Sequence, residues 1–359
     1  MKKFLILLLM AMCLVCSLAL FACDGAQQPA GHVCDWQSTL SYNETKHFYK
    51  CTDTTCNKIK DAELHEYTLD GDNFVPGDVP LNVCACGHSY EADETSITPY
   101  DADHVLSRMY DGTVVKLMVG NYGTIRIEGK SNIIIYAGDF VKVELIRIVG
   151  NCKNIYIYDI DFSNVTGSDS WEGGVKVQNG ENTENVVIKN CTFTDNSGFI
   201  NDTSTQITNT KIIGCKFYDL GYCSIEGYRS AIVAYYCYGL TVEDCEFDGI
   251  TKNCIQAYVS GGTHLTIKNN VFKNAGGVTL NLWVYSDQSA VDISSNKFYQ
   301  EKTSINENPD LTRDEGVYIY SGNRQIAVGA NSWEIMPQNI NFYLYNVNID
   351  MSAQTLIND

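Results

Sequence analysis

Basic residues are scarce in this 359-residue chain: 25 Lys and Arg stand against 43 Asp and Glu, a formal charge of −18. The shortage argues against a nucleic-acid partner, because neutralising phosphates takes a surplus of cations. It also disfavours tight binding of a strongly anionic glycan unless calcium or a local basic patch bridges the two. Histidine is nearly missing from the later part of the chain, where His264 precedes an apolar run without an evident partner. Apolar residues are not lacking. At 45% of the chain they suffice for a packed core, leave room for two domains and exclude a disordered protein.

The N-terminus reads as an export signal. Lys2 and Lys3 form a positive start, and Phe4 to Leu20 is almost entirely apolar. About 20 apolar residues also suffice for a membrane-spanning helix. The segment Leu20-Phe21-Ala22-Cys23, however, resembles the lipobox of bacterial lipoproteins, with a branched residue at −3, a small one at −1 and Cys at +1. The resemblance implies a signal peptide over 1–22, cleavage before Cys23, diacylation of its thiol and a lipidated tether over 23–31. The expected location is extracytoplasmic, at the cell surface, with the membrane engaged through the lipid.

Composition shifts abruptly in the next stretch, 32–95. Within it fall His32, His47, His65 and His88 together with Cys34, Cys51, Cys56, Cys84 and Cys86. So short a segment buries little apolar surface, and a staple is expected, either disulfides or a metal. The line Cys34-Asp35-Trp36, His47-Phe48-Tyr49-Lys50-Cys51, Cys56 and His65 resembles a small repeat of Gram-positive surface proteins. Tetrahedral zinc wants four thiolate or imidazole ligands, and His47, Cys51, Cys56 and His65 form the economical set. Cys84-Ala85-Cys86-Gly87-His88 either closes the module or begins a truncated second copy. Export favours disulfides; an odd cysteine count and the adjacent C-x-C pair stand against complete pairing. In both cases the role is structural.

From residue 100 to 359 one line recurs: Asn132-IIIYAGD-Phe140, Asn154-IYIYDID-Phe162, Asn185-VVIKNCT-Phe193, Asn209-TKIIGCK-Phe217, Gly239-LTVEDCE-Phe247, His264-LTIKNNV-Phe272 and Ala290-VDISSNK-Phe298, with Gln325-IAVGANS-Trp333 as a variant. Apolar residues at −7 and −5 from the aromatic give period two, hence short strands with one buried face. Position −2 holds Ile160, Cys191, Cys215, Cys245, Asn270 and Asn296, read as a column of small buried groups. Position −3 is often Asn, Asp or Gly, which bends the chain between strands. Successive aromatics lie 22, 31, 24, 30, 25, 26 and 35 residues apart, a minimum near one coil with variable excess from inserted loops. The repeats resemble right-handed parallel β-helix proteins of the pectate-lyase-like class. The fold class implied is all-β, a solenoid preceded by a small Cys/His-stapled module. Ala102 to Tyr110, with Val105, Leu106 and Met109 on one side, is expected to form an N-terminal capping helix, and Asn341 to Asn348 a closing strand.

A further strand upstream of each repeat sets outward residues in columns along the axis: Lys176, Gln178, Asp202, Gln256, Tyr258, Asn281, Trp283, Tyr285, Tyr318 and Tyr320. Aromatics beside amides suit sugars, whose C–H faces stack on rings while their hydroxyls seek polar partners. The plainer account is that Tyr and Trp are good strand formers. The expected partner is a polysaccharide or other envelope or host glycan. An enzyme, either a glycoside hydrolase or a polysaccharide lyase with calcium, would draw on Asp202, Glu226 and Arg229. The chain has no Asp-Asp pair followed by Gly-His-Gly, as in inverting polygalacturonases, and no Arg-x-Pro-x-x-Arg segment, as in pectate lyases. A structural spacer or adhesin is the third alternative.

Overall fold

The computed structural model describes residues 33–163 apart from 101, 103–105 and 107, and then 173–194, 197–220, 222–223, 227–228, 230–261, 263–275, 278–285, 290–299, 315–322, 325–334 and 341–357. The export signal, Cys23 and the tether lie outside them. Among the described residues no helix is long and apolar enough to cross a membrane. Two compact units divide the chain. One takes in residues up to Tyr67 together with Val83–Ser89, and the other Thr68–Asn82 together with everything from Tyr90 onward.

In the first unit, Ser41–Tyr42, Lys46–Lys50 and Ile59–Leu64 form an antiparallel sheet whose register shifts between His47 and Tyr49. The second unit is a stack of coils, each contributing a short strand to three parallel sheets. In the first sheet, Ile135, Ile157, Ile188, Ile212, Val242, Ile267 and Ile293 pair in line from coil to coil, all facing the core. In the second, Val143, Phe162, Phe193, Phe217, Phe247, Phe272, Phe298 and Trp333 do the same. The rings from Phe162 to Phe298 stack at 4.8–5.0 Å, the spacing of neighbouring strands. In the third, Ile146, Val175, Phe199, Ile232, Ile255, Leu280 and Val317 form the inward line. This is a parallel β-helix.

Left-handed backbone makes the corners. At the bend before the Phe strand, Asp159, Asn190, Gly214, Asp244, Asn269 and Ser295 all have φ between 55° and 62°. Asn, Asp and Gly reach this region at least cost, which is why they recur at −3. A second corner column, Asn132, Asn154, Asn185 and Asn209, also has positive φ, and the amides of the last three each donate to the Asn one coil earlier at 2.8–3.1 Å. Position −2 is a buried ladder: Asn270 donates to Asn296 and Asn296 to Asn331, both at 3.0 Å, and Asn331 N–H donates to Gln354 at 3.1 Å. The thiols of Cys191, Cys215 and Cys245 donate to carbonyls of the preceding coil, Ile157, Ile188 and Ile212, at 3.5–3.8 Å.

Three expectations are corrected. Phe140 does not join the aromatic column: its φ is 59°, the residue is 86% exposed, and Val143 fills the inward place. Asn341–Tyr345 and Val347–Ile349 do not make one closing strand. They are third- and first-sheet strands of a further coil that ends at Thr355–Leu356. Strands Glu94–Ile97 and Val114–Leu117 form earlier coils that the repeat line did not reveal. Ala102 and Leu106 are helical and, with Met109, pack into the core as a cap would; Val105 lies outside the described residues. On the outer face of the first sheet, Leu69 and Phe74 cover Ile134, Tyr136, Tyr156 and Tyr158. Tyr158 donates to the Gly71 carbonyl, and a Cβ on Gly71 would run into the Tyr156 ring. This cover explains why the first two repeats read apolar on both faces rather than alternating.

Candidate functional site

The outward face of the third sheet is the most differentiated surface of the solenoid. Strand pairing sets Arg126, Arg147 and Lys176 in one line across adjacent coils. The line continues through Ile200 and Val233, both buried, to Gln256, Asn281 and Tyr318. Two residues further along each strand runs a second line, with Glu128, Val149 and Gln178 at one end and Tyr258, Trp283, Tyr320 and Tyr345 at the other.

Period two positions these groups. Ile255–Val259 and Leu280–Val284 alternate fully buried with half-buried residues, so Gln256, Tyr258, Asn281 and Trp283 point outward, as do Lys176, Gln178 and Tyr320. Tyr285, just past its strand, is 46% exposed, and burial is the main cause that raises its phenol pKa. Tyr318 departs from expectation. It is buried, and its ring lies 5.1 Å from that of Trp283.

The rings pack on one another across coils: Tyr235 on Tyr258 at 5.0 Å, Tyr258 on Trp283 at 5.9 Å, Trp283 on Tyr320 at 5.1 Å and Tyr320 on Tyr345 at 4.9 Å. Ring faces within the column are therefore largely used by neighbouring rings, and the column turns edges and hydroxyls to solvent. A short polar network sits alongside. Gln256 donates to the hydroxyls of Tyr235 and Tyr258 at 3.3 and 3.4 Å and accepts from Asn253 at 2.9 Å, and the Trp283 indole donates to Asn281 at 3.1 Å. Chemically this is a preordered, hydroxyl-rich strip along the axis.

Asp202 follows the strand Ser197–Asn201 and, with Lys176, Ile200 and Thr203, lines a cavity of about 160 Å³. Its carboxylate accepts from Ser204 N–H and the Thr203 hydroxyl, both at 3.4 Å, which closes the local turn. Glu226 and Arg229 lie outside the described residues. Arg126, Arg147, Tyr235 and Tyr345 belong to this face and escaped the sequence reading. The alternations Ile125-Arg126-Ile127-Glu128 and Ile146-Arg147-Ile148 were the available signals for the two cations.

The four metal ligands expected as one set fall into two groups. His47 and His65 meet Cys84 and Cys86, whereas Cys51 and Cys56 meet Cys34.

Among solved structures, the alginate lyase AlyGC of family PL6 superposes with a TM-score of 0.55 at 12% identity, over 78% of this chain and 47% of its own. This chain thus spans about half the length of that lyase. Pectate lyase II from Xanthomonas campestris pv. campestris str. ATCC 33913 gives a TM-score of 0.36 at 12% identity, over 74% of this chain and 80% of its own. At 12% identity the likeness to the alginate lyase is one of fold. No curated protein matches the chain. Residues 145–333 match the family described as the right handed beta helix region, more than half of the sequence and the span that carries the Phe column. The chain belongs to the right-handed β-helix family.

Proposed function

We propose that this protein is a cell-surface lipoprotein that holds a polysaccharide along the outward face of its third sheet. The observation that carries the reading is the unbroken Tyr235–Tyr258–Trp283–Tyr320–Tyr345 column beside Gln256 and Asn281, which repeats one polar-aromatic pattern at the coil spacing. A polymer of sugars is the natural ligand of a periodic strip, since each coil offers the next residue equivalent partners. The aligned Arg126, Arg147 and Lys176 supply the local basic patch that an acidic protein needs to accept an acidic glycan. Glu128 pairs with Arg126 at 2.9 Å, so the net charge of the patch is modest.

A second reading, polysaccharide lyase, is favoured by one observation: Lys176 and Asp202 share a cavity on the same face. Lysine is a suitable base for proton abstraction beside a uronate carboxylate, with calcium supplying the charge that acidifies that proton. The likeness in fold to an alginate lyase is consistent with it.

Affinity electrophoresis of the full chain in gels containing neutral or uronate polysaccharides tests the first reading, and absorbance from unsaturated uronate products tests the second. Retardation without product supports binding alone. Product that disappears in Lys176→Ala makes the protein a lyase. No retardation by any polymer removes the glycan proposal and leaves a surface spacer.

A further inference from the structure

We infer that the N-terminal unit binds two separate zinc ions, one held by His47, His65, Cys84 and Cys86 and the other by Cys34, Cys51 and Cys56. The unit needs such staples. Among its described residues the buried apolar side chains are Phe48, Cys51 and Cys84, far short of a self-sufficient core.

The donor atoms of each group lie within 4.8 Å of one another. In the first, His65 Nδ1 is 3.4 Å from both Cys84 Sγ and Cys86 Sγ, and His47 Nδ1 is 3.5 Å from Cys84 Sγ. Tetrahedral bonds of about 2.3 Å to sulfur and about 2.05 Å to nitrogen place two such ligands about 3.6 Å apart. In the second group Cys34 and Cys56 are separated by 3.6 Å between sulfurs, close to the edge of about 3.8 Å of a thiolate tetrahedron and far from the bond of about 2.05 Å of a disulfide.

The outer contacts point the same way. His65 Nε2 lies 2.7 Å from the Asn43 carbonyl, which can only accept. The ring proton therefore sits on Nε2, and Nδ1 turns a lone pair toward two sulfurs. His47 Nε2 faces Glu63 at 3.6 Å. A ligating imidazole whose far nitrogen is held by a carbonyl or carboxylate is the usual arrangement at protein zinc sites. His88 is not a ligand in this set: it stacks on His65 at 4.6 Å and meets the Tyr67 hydroxyl at 2.8 Å, which fixes the His65 ring from behind.

Local backbone presents the thiols in pairs. Cys84 and Cys86 stand on a turn in which Gly87, at φ 88°, donates to the Cys84 carbonyl at 2.8 Å. Cys51 and Cys56 flank a turn that Asp53 closes by accepting from Thr55 N–H at 2.9 Å. The first site is closed by four ligands. Among the described residues the second has three. In chain order His47 of the first site falls between Cys34 and Cys51 of the second, so the two sites are interleaved.

Zinc measured by mass spectrometry in the full chain tests this. Two equivalents are expected, with Cys86→Ser and His47→Ala each losing one and Cys34→Ser and Cys56→Ser each losing the other. Double variants within a site should lose one equivalent, and double variants across sites both. A single equivalent abolished alike by His47→Ala and Cys56→Ser would overturn the two-site assignment, as would no zinc with thiols unreactive until reduced. Should the variants fail to fold, cobalt titration of the unmutated chain decides. Two saturating equivalents with thiolate charge-transfer intensity for five Co–S bonds support the inference, and saturation at one equivalent contradicts it.

Discussion

Asn296 shows how much a single side chain can hold in this architecture. It is fully buried, donates to the Ile267 carbonyl at 2.8 Å and to Asn331 at 3.0 Å, and accepts from Asn270. Replacement by Leu keeps the branched shape, with bulkier methyls, but strands backbone and side-chain groups that water cannot reach, at about 1–3 kcal/mol each. Asn296→Leu should therefore lower the free energy of unfolding by about 2–5 kcal/mol, read as a clear drop in the urea midpoint. Cys215→Ala, in the thiol part of the same column, removes one weak donor and should cost about 1 kcal/mol. Equal midpoints for the two variants would show that the ladder is not a stabilising network. The ladder was legible because burial repeats at a fixed distance from each aromatic. Phe140 was misread for the converse reason: an aromatic stood at the right spacing, but left-handed backbone at that residue turns it outward.

Between elements, the coils are tied by contacts that spacing foretells and by others that only pairing creates. Glu246 accepts from Tyr218 at 2.7 Å and from Lys273 at 3.0 Å, three neighbouring coils meeting at one carboxylate. The Tyr218 hydrogen bond and then the Lys273 ammonium hold its pKa below the ordinary 4.5. A carboxyl depressed in the folded state contributes stability above its unfolded pKa and loses it as pH falls through the folded value. Glu246→Gln should accordingly destabilise the protein at pH 7 and match it well below pH 4.5, as measured by thermal midpoint against pH. A pH-independent difference would mean that the charge plays no part.

The Cys/His clusters illustrate the limit at this scale. Zinc's need for four ligands made a single site the economical reading, and along a regular strand His47 and Cys51, four residues apart, would share one face. The register shift between His47 and Tyr49 breaks that regularity, and the partners come instead from Cys34, Cys84 and Cys86. Cysteine and histidine spacing marks the residues that cluster and leaves their grouping open.

For the whole molecule, the repeats made the solenoid readable because each coil obeys one local rule, and stability in such stacks is a sum of neighbour terms. The outward face was partly readable for the same reason: pairing places Tyr258, Trp283 and Tyr320 where alternation put them. What the sequence could not disclose is that their rings stack on each other, which changes the offered surface from flat faces to edges and hydroxyls. Nor could it disclose that residues 68–82 cover the first coils, since that contact joins segments far apart in the chain. If an acidic polymer is the ligand, its affinity should fall with salt through Arg126, Arg147 and Lys176. A neutral polymer should bind with little salt dependence.

The most direct test is affinity electrophoresis of the full chain against the Trp283→Ala/Tyr320→Ala double variant, with circular dichroism confirming an unchanged β-helix. The account predicts that a polysaccharide retards the unmutated chain and that the variant binds it at least about tenfold more weakly, about 1.4 kcal/mol. Equal retardation of the two proteins would contradict it.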